Sequence, residues 1–255
     1  MPNRSELTHV GRYVLSFTLG GLLVSAFSWA QQSTPETPLA PGTIRPPEAP
    51  KRANPPEPVP KRIFGIVPNF RTFPRLLPYQ PLTTPQKFKI ASQDSFDRGT
   101  FVLAAAFAGE GQLTRSNPSF GSGATAYGRY LGTAYADFVI GDFMTEAIYP
   151  SLLRQDPRYF RRGQGSGLSR FGYAMGQLFW TRTDRGGTQF NYSEVCGNAS
   201  AVALSNAYYP ENRNAPDALI KLGTQLGVDM AANILKEFSP DLYHHFSRKH
   251  RSEHR

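Results

Sequence analysis

The chain has 255 residues and a net charge of +9, with 40% hydrophobic and 18% charged residues, which excludes both a polyelectrolyte tail and an all-apolar membrane bundle. A single Cys rules out an internal disulfide. The five His (His9, His244, His245, His250 and His254) lie near the two ends, which removes His-dependent triads and His-rich metal sites from the middle.

Arg4 and Arg12 precede an apolar run from Tyr13 to Phe27, and Ser28-Trp29-Ala30 puts small residues where a signal peptidase needs them. Residues 1–30 are therefore expected to be a signal peptide cut after Ala30. The alternative is a retained anchor, for which a run of about fifteen residues is short. No Cys follows the run, so a lipid-modified terminus is excluded. Fourteen prolines fall between 31 and 81, too many for helix or sheet, and residues 31–62 read as an extended, disordered linker. In an exported chain the basic excess points to a membrane surface or an anionic envelope polymer as partner, and not to nucleic acid.

The domain is expected over 63–243. IFGIVPNFRTF is apolar but interrupted by Pro68 and Pro74, so it reads as an extended arm packed on the domain. Thr84-Pro85 starts a short helix and Asp97 caps a longer one running through the Ala-rich stretch to Leu113. After turn residues at 116–118 and 121–123, a periodic helix is expected from Ala124 to Tyr149, ended by Pro150. Further helices follow over 168–181 and 192–208. The last starts near Asn214 and is expected to stop before Pro240, leaving 244–255 as a basic, His-containing tail. The sum is a mainly α fold, a compact bundle of about five to six Gly/Ala-rich helices. The alternation of Phe171, Tyr173, Met175 and Phe179 also admits a small outer-membrane barrel, which the Ala-rich runs and cap signals oppose.

Small residues recur four apart at Ala104 and Ala108; at Ala124, Gly128, Gly132 and Ala136; at Gly172 and Gly176; at Gly197, Ala201 and Ser205; and at Gly223 and Gly227. Glycine costs a helix about 1 kcal/mol relative to Ala, so the repetition suggests close helix packing or self-association.

Chemistry concentrates in residues 141–163. Asp142 and Glu146 share a helix face, a like-charge spacing that needs a cation or a metal to answer it. Asp137 is expected on another face. Downstream lie Asp156 and four arginines, Arg154, Arg158, Arg161 and Arg162, candidates for binding an anion or a sugar. One reading is a salt-bridged corner; the other gives Asp142, Glu146 or Asp156 general acid and base work on a glycan. In the second polar stretch, 181–198, Asn191 or Ser193 is expected to cap a helix with Glu194 in its first turn, and Cys196 to be a small buried residue. No nucleotide, zinc, EF-hand or serine-hydrolase motif appears, so neither cofactor nor metal is expected.

IFGIVPNF, the Asp-Ser-Phe-Asp run at 94–97, YGRYLGTAYADFVIGDFMTEAIYPSLLRQDPRYFRRG, TRTDRGGTQFNYSE and SNAYYP together resemble an uncharacterised family of short exported bacterial proteins, over residues 63–240. The resemblance implies a single domain behind a variable Pro-rich leader and brings no catalytic residues. The functional expectation is a non-enzymatic, envelope-associated helical protein with a structural or interaction role. The alternative is a cell-wall glycan hydrolase.

Overall fold

The computed structural model describes residues 60–74, 78–209, 211 and 214–253, with side chains described as far as His245. The expected signal peptide and most of the expected linker lie outside these residues.

The arm folds as expected of a Pro-interrupted extended segment. β1 (Arg62–Ile63) and β2 (Val67–Pro68) form an antiparallel hairpin, and β3 (Thr72–Pro74) pairs in parallel with β4 (Tyr159–Arg161). Arg62 forms an ion pair with Asp97, whose other task is to accept a hydrogen bond from Gly99 N at 2.7 Å and so cap the second helix. Gly99 is required there, because a Cβ would stand 1.7 Å from the carbonyl oxygen of Ile66.

Helix α1 spans Thr84–Ser95 and α2 Arg98–Thr114. The cap of α1 lies one residue earlier than expected, at Thr83, whose N–H donates to Gln86 Oε1 at 2.8 Å. Helix α3 (Gly123–Asp142) packs along α2 and does not end at Pro150. It widens into a π turn, Phe143–Ile148, and continues as α4, Tyr149–Leu152. Pro150 sits in the first turn of α4, where a missing N–H is tolerated. The π turn is packed between α1 and α6 (Tyr192–Ser205). Gly197 of α6 permits this approach, since a Cβ there would lie 2.9 Å from Thr145 Cγ2 and 3.1 Å from the carbonyl carbon of Met144.

Helix α5 (Gly167–Phe179) leads into the hairpin of β5 (Trp180–Arg182) and β6 (Thr188–Phe190). Of the two cap candidates, Asn191 and Ser193, it is Asn191 that caps α6, accepting from Glu194 N at 3.2 Å. Helix α7 (Ala215–Glu253) runs straight through Pro240 and on into the expected tail. The proline frees the carbonyl of Lys236, which accepts from Ser239 Oγ at 3.4 Å. The next carbonyl, Glu237 O, accepts from Arg161 Nε at 2.9 Å and Arg170 Nη2 at 2.8 Å. With those acceptors satisfied, the proline no longer ends the helix.

The fold is mainly helical, with only three two-stranded sheets among the described residues. None of the described helices is long and apolar enough to cross a membrane. One apolar cluster joins Ala108, Phe120, Tyr130 and Tyr209, and another Tyr159, Ala174, Ile234 and Phe238. The glycine stripes do not serve these contacts. A Cβ at Gly128, Gly132, Gly172, Gly176, Gly223 or Gly227 would meet no atom within 4 Å.

Candidate functional site

The π turn decides where the site forms. Its wider backbone ring inserts into α3 just after Asp142, and π turns concentrate at functional sites because they re-aim side chains. Glu146 ends 2% exposed, facing Arg71 of the arm, whose Nη1 lies 3.3 Å from Glu146 Oε1. Asp94 of α1 joins them, and α6 contributes Glu194. From α7 come Asp229, Asn233 and Lys236, spaced four and three apart on one helix face.

Five carboxyl groups thus surround two cations, Arg71 and Lys236. Ser95 Oγ donates to Asp142 Oδ2 at 3.1 Å, and Asn198 Nδ2 donates to Asp229 Oδ2 at 3.0 Å. Asp94 and Glu146 face each other as a hydrogen-bonding carboxyl pair, with a backbone hydrogen bond from Phe70 to Asp94; Asp94 Oδ1 and Glu146 Oε2 are buried with no other donor. Burial raises the Glu146 carboxyl well above its ordinary range, and Asp94 and Asp142 push it further against the pull of Arg71. Burial likewise raises Asp94, with Arg71 and Lys236 opposing. Asp142 is pushed up to about 8 by burial and by Asp94, and Glu194 to about 8 by burial and Asp229. Lys236 is lowered to about 8 by burial and Arg71, with Asp94, Glu146 and Asp229 opposing. Burial acts against the charge on Arg71, but Glu146, Glu194, Asp229 and Asp94 outweigh it and hold the guanidinium firmly charged. Crowding thus drives Asp94, Asp142, Glu146 and Glu194 toward their protonated forms, because so many carboxylates cannot all ionise side by side.

Glu237 shows what a purely structural buried carboxylate looks like in the same protein. Completely buried, it accepts from Tyr159 OH, Arg162 N, Gly163 N and Arg170 Nε, between 2.8 and 2.9 Å. No oxygen of Glu237 is left without a donor, which is the ordinary state of a buried polar group.

A cavity of about 300 Å³ opens between α2, α3 and the first half of α7. Its walls are largely apolar, from Phe107, Tyr130, Ala134, Phe138 and Val228, and its floor carries Arg71, Asp142, Thr145, Asn198 and Asp229. It has the size and character of a small-molecule pocket. Asp137 stands higher on the wall and accepts from Tyr208 OH at 2.6 Å, Tyr209 OH at 2.9 Å and Lys221 Nζ at 3.0 Å. It shares the cavity with Asp142 without joining the buried cluster. On the other side of Arg71 is a void of about 20 Å³, bordered by Glu194 and Asn233 and large enough for a single water.

The other expected site residues go elsewhere. Asp156 is buried in a corner, held by Arg158, whose Nε lies 2.9 Å from Asp156 Oδ1 and whose guanidinium stacks over Phe73 at 4.7 Å. Arg161 donates to the Glu237 carbonyl, Arg162 to Ser169 Oγ at 2.9 Å, and Arg154 is exposed with a positive φ of 54°. The side chains of the four arginines therefore have different partners and do not converge on one anion. Cys196 is half-buried and unpaired.

Sequence reasoning found Asp142 and Glu146 but missed Arg71, Asp94, Asp229 and Lys236, and read Glu194 only as a helix-end charge. The helical spacing of Asp229, Asn233 and Lys236, which puts the three on one face, was the available signal. No protein-family model matches the chain, and neither a curated protein nor a solved structure matches it.

Proposed function

We propose that this protein is a non-enzymatic binding protein of the cell envelope that takes a small amphipathic ligand into the cavity between α2, α3 and α7. One observation carries the reading: an apolar-walled space of about 300 Å³ ends on ionisable groups that the fold keeps buried. Apolar walls supply affinity and a few convergent polar groups fix orientation, the usual division of labour in ligand sites. The envelope part of the reading rests on the signal-like residues 1–30, the net charge of +9 and the resemblance to exported bacterial proteins. Exposed Phe88, Phe96 and Phe101, packed tilted or edge-on against Phe143 and Tyr135, suit contact with a membrane surface.

The test is a fluorescence titration with N-phenyl-1-naphthylamine, a neutral apolar dye. The expected result is saturable binding of one dye per chain, lost in Gly141→Leu. Gly141 lines the cavity and a Cβ there meets nothing within 4 Å, so the larger side chain fills the space without disturbing the helix. Dye binding that survives Gly141→Leu would refute the assignment to this cavity.

A second reading, hydrolysis of an envelope glycan, now rests on Asp142 alone among the three carboxylates named from sequence. A cavity-floor acid raised to about 8 is protonated at neutral pH, as a general acid must be. Glycan cleavage by the purified protein that Asp142→Asn abolishes would favour this reading over the binding protein.

A further inference from the structure

Two residues that line the cavity carry a buried side-chain oxygen with no hydrogen-bond donor. Asn117 is 2% exposed and lines the cavity, and its Oδ1 has no donor. Gln225 Oε1, from the α7 side of the same cavity, is also buried without one. Neither belongs to the carboxylate cluster, so they are independent observations of the same demand. A ligand that brings N–H or O–H groups suits walls built from side chains with unmet acceptors, because an unmet buried acceptor costs about as much as a lost hydrogen bond.

Charge narrows the class further. Both cations bordering the cavity are already engaged, Arg71 with Glu146 and Lys221 with Asp137. On the floor, Asp142 accepts from Ser95, and Asp229 accepts from Asn198 and meets the Glu194 carboxyl. An incoming anion would face them together with Asp94, Glu146 and Glu194 behind. An incoming cation would replace a proton that the crowded carboxyls now hold. Among the described residues no three metal-type side chains converge on a point where an ion could sit, and the walls above the floor are apolar, which suits an organic cation with a hydrocarbon body.

We propose that the ligand of this cavity is an amphipathic organic ammonium ion, its charged head between Asp142 and Asp229 and its apolar body against Phe107, Tyr130 and Phe138. The proposal rests on the ligand-binding reading above. It makes the cavity selective for amines over alcohols and carboxylates of the same length.

The experiment uses the full chain loaded with N-phenyl-1-naphthylamine at pH 7 and measures dye displacement by octylammonium, 1-octanol, octanoate, and calcium or magnesium chloride. Octylammonium is expected to displace the dye at concentrations about ten- to a hundredfold lower than octanol, the worth of charge-assisted hydrogen bonds. Octanoate is expected to be the weakest of the three. Asp229→Asn, which keeps an acceptor for Asn198, is expected to bring octylammonium to within about threefold of octanol, with its fold checked by circular dichroism. Displacement by octanol or octanoate as readily as by octylammonium overturns the proposal, and so does displacement by the divalent ions alone. Dye binding without ammonium preference sinks only this inference, whereas absence of dye binding sinks the cavity reading along with it.

Discussion

Heating the protein at a series of pH values should show stability falling as pH rises from 5 to 8, the reverse of a protein held by salt-bridged carboxylates. A carboxyl whose folded pKa lies above its unfolded value keeps a proton in the native state that the unfolded chain has released. Its contribution is therefore complete below the unfolded value and is lost as pH climbs to the folded one. Asp142, raised from 3.8 to about 8, and Glu194, raised from 4.5 to about 8, both act in this window. Lys236, lowered to about 8, acts in the opposite sense only above that pH, and Asp97, lowered by its bond to Arg62, only below the usual carboxylate range. Because neighbouring carboxyls share protons, one net proton is the conservative figure, about 1.4 kcal/mol per pH unit or about 4 kcal/mol across the window. For a chain of this size that is about 8–16 °C in Tm, readable by circular dichroism at 222 nm in buffers of matched ionic strength. Asp142→Asn retains an acceptor for Ser95 Oγ and removes one titrating group. It should flatten the slope and melt higher than the wild type at pH 8. A Tm that is flat or rises between pH 5 and 8 would refute the claim that these carboxyls stay protonated in the native state.

Two further substitutions test the packing around the cluster. Arg71→Met removes the cation facing Glu146 and should destabilise the fold by about 3–5 kcal/mol in urea denaturation at pH 8; the loss should be smaller at pH 5, where more of the carboxyls are neutral. Gly197→Ala should cost about 1–3 kcal/mol, because its Cβ must push the π turn at Thr145 aside. Gly128→Ala, whose Cβ meets open space, should instead gain about 1 kcal/mol, and equal effects at the two positions would show that α6 and the π turn are not in close contact.

Local chemistry made the helices legible. Asp97, Asn191 and the first-turn prolines mark helix starts because a cap acts within three residues, and the structure has helices at each of those places. Pro150 and Pro240 misled for the same reason. Whether a proline ends a helix depends on what surrounds the freed carbonyl; at Pro240 Ser239 Oγ reaches Lys236 O, and Arg161 and Arg170 hold the neighbouring Glu237 O from about seventy residues away in sequence. The glycine stripes pointed to helix contacts that Gly197 makes and Gly128, Gly132, Gly172 and Gly176 do not. At the site, the spacing of Asp142 and Glu146 announced a conflict of like charges needing an answer. The answer, Arg71, lies on the Pro-interrupted arm, and its pairing with Glu146 follows from tertiary packing that no local pattern encodes.

Beneath the open cavity, burial and crowding push the Asp142 and Glu194 carboxyls toward their protonated forms at neutral pH. Carbon-13 NMR titration of the side-chain carboxyl resonances, assigned through Asp142→Asn and Glu194→Gln, measures this directly. Asp142 and Glu194 are predicted to titrate with midpoints near about 8. If both instead titrate below about 5, in the ordinary carboxylate range, the cluster is fully ionised at neutral pH and the reasoning built on it is wrong.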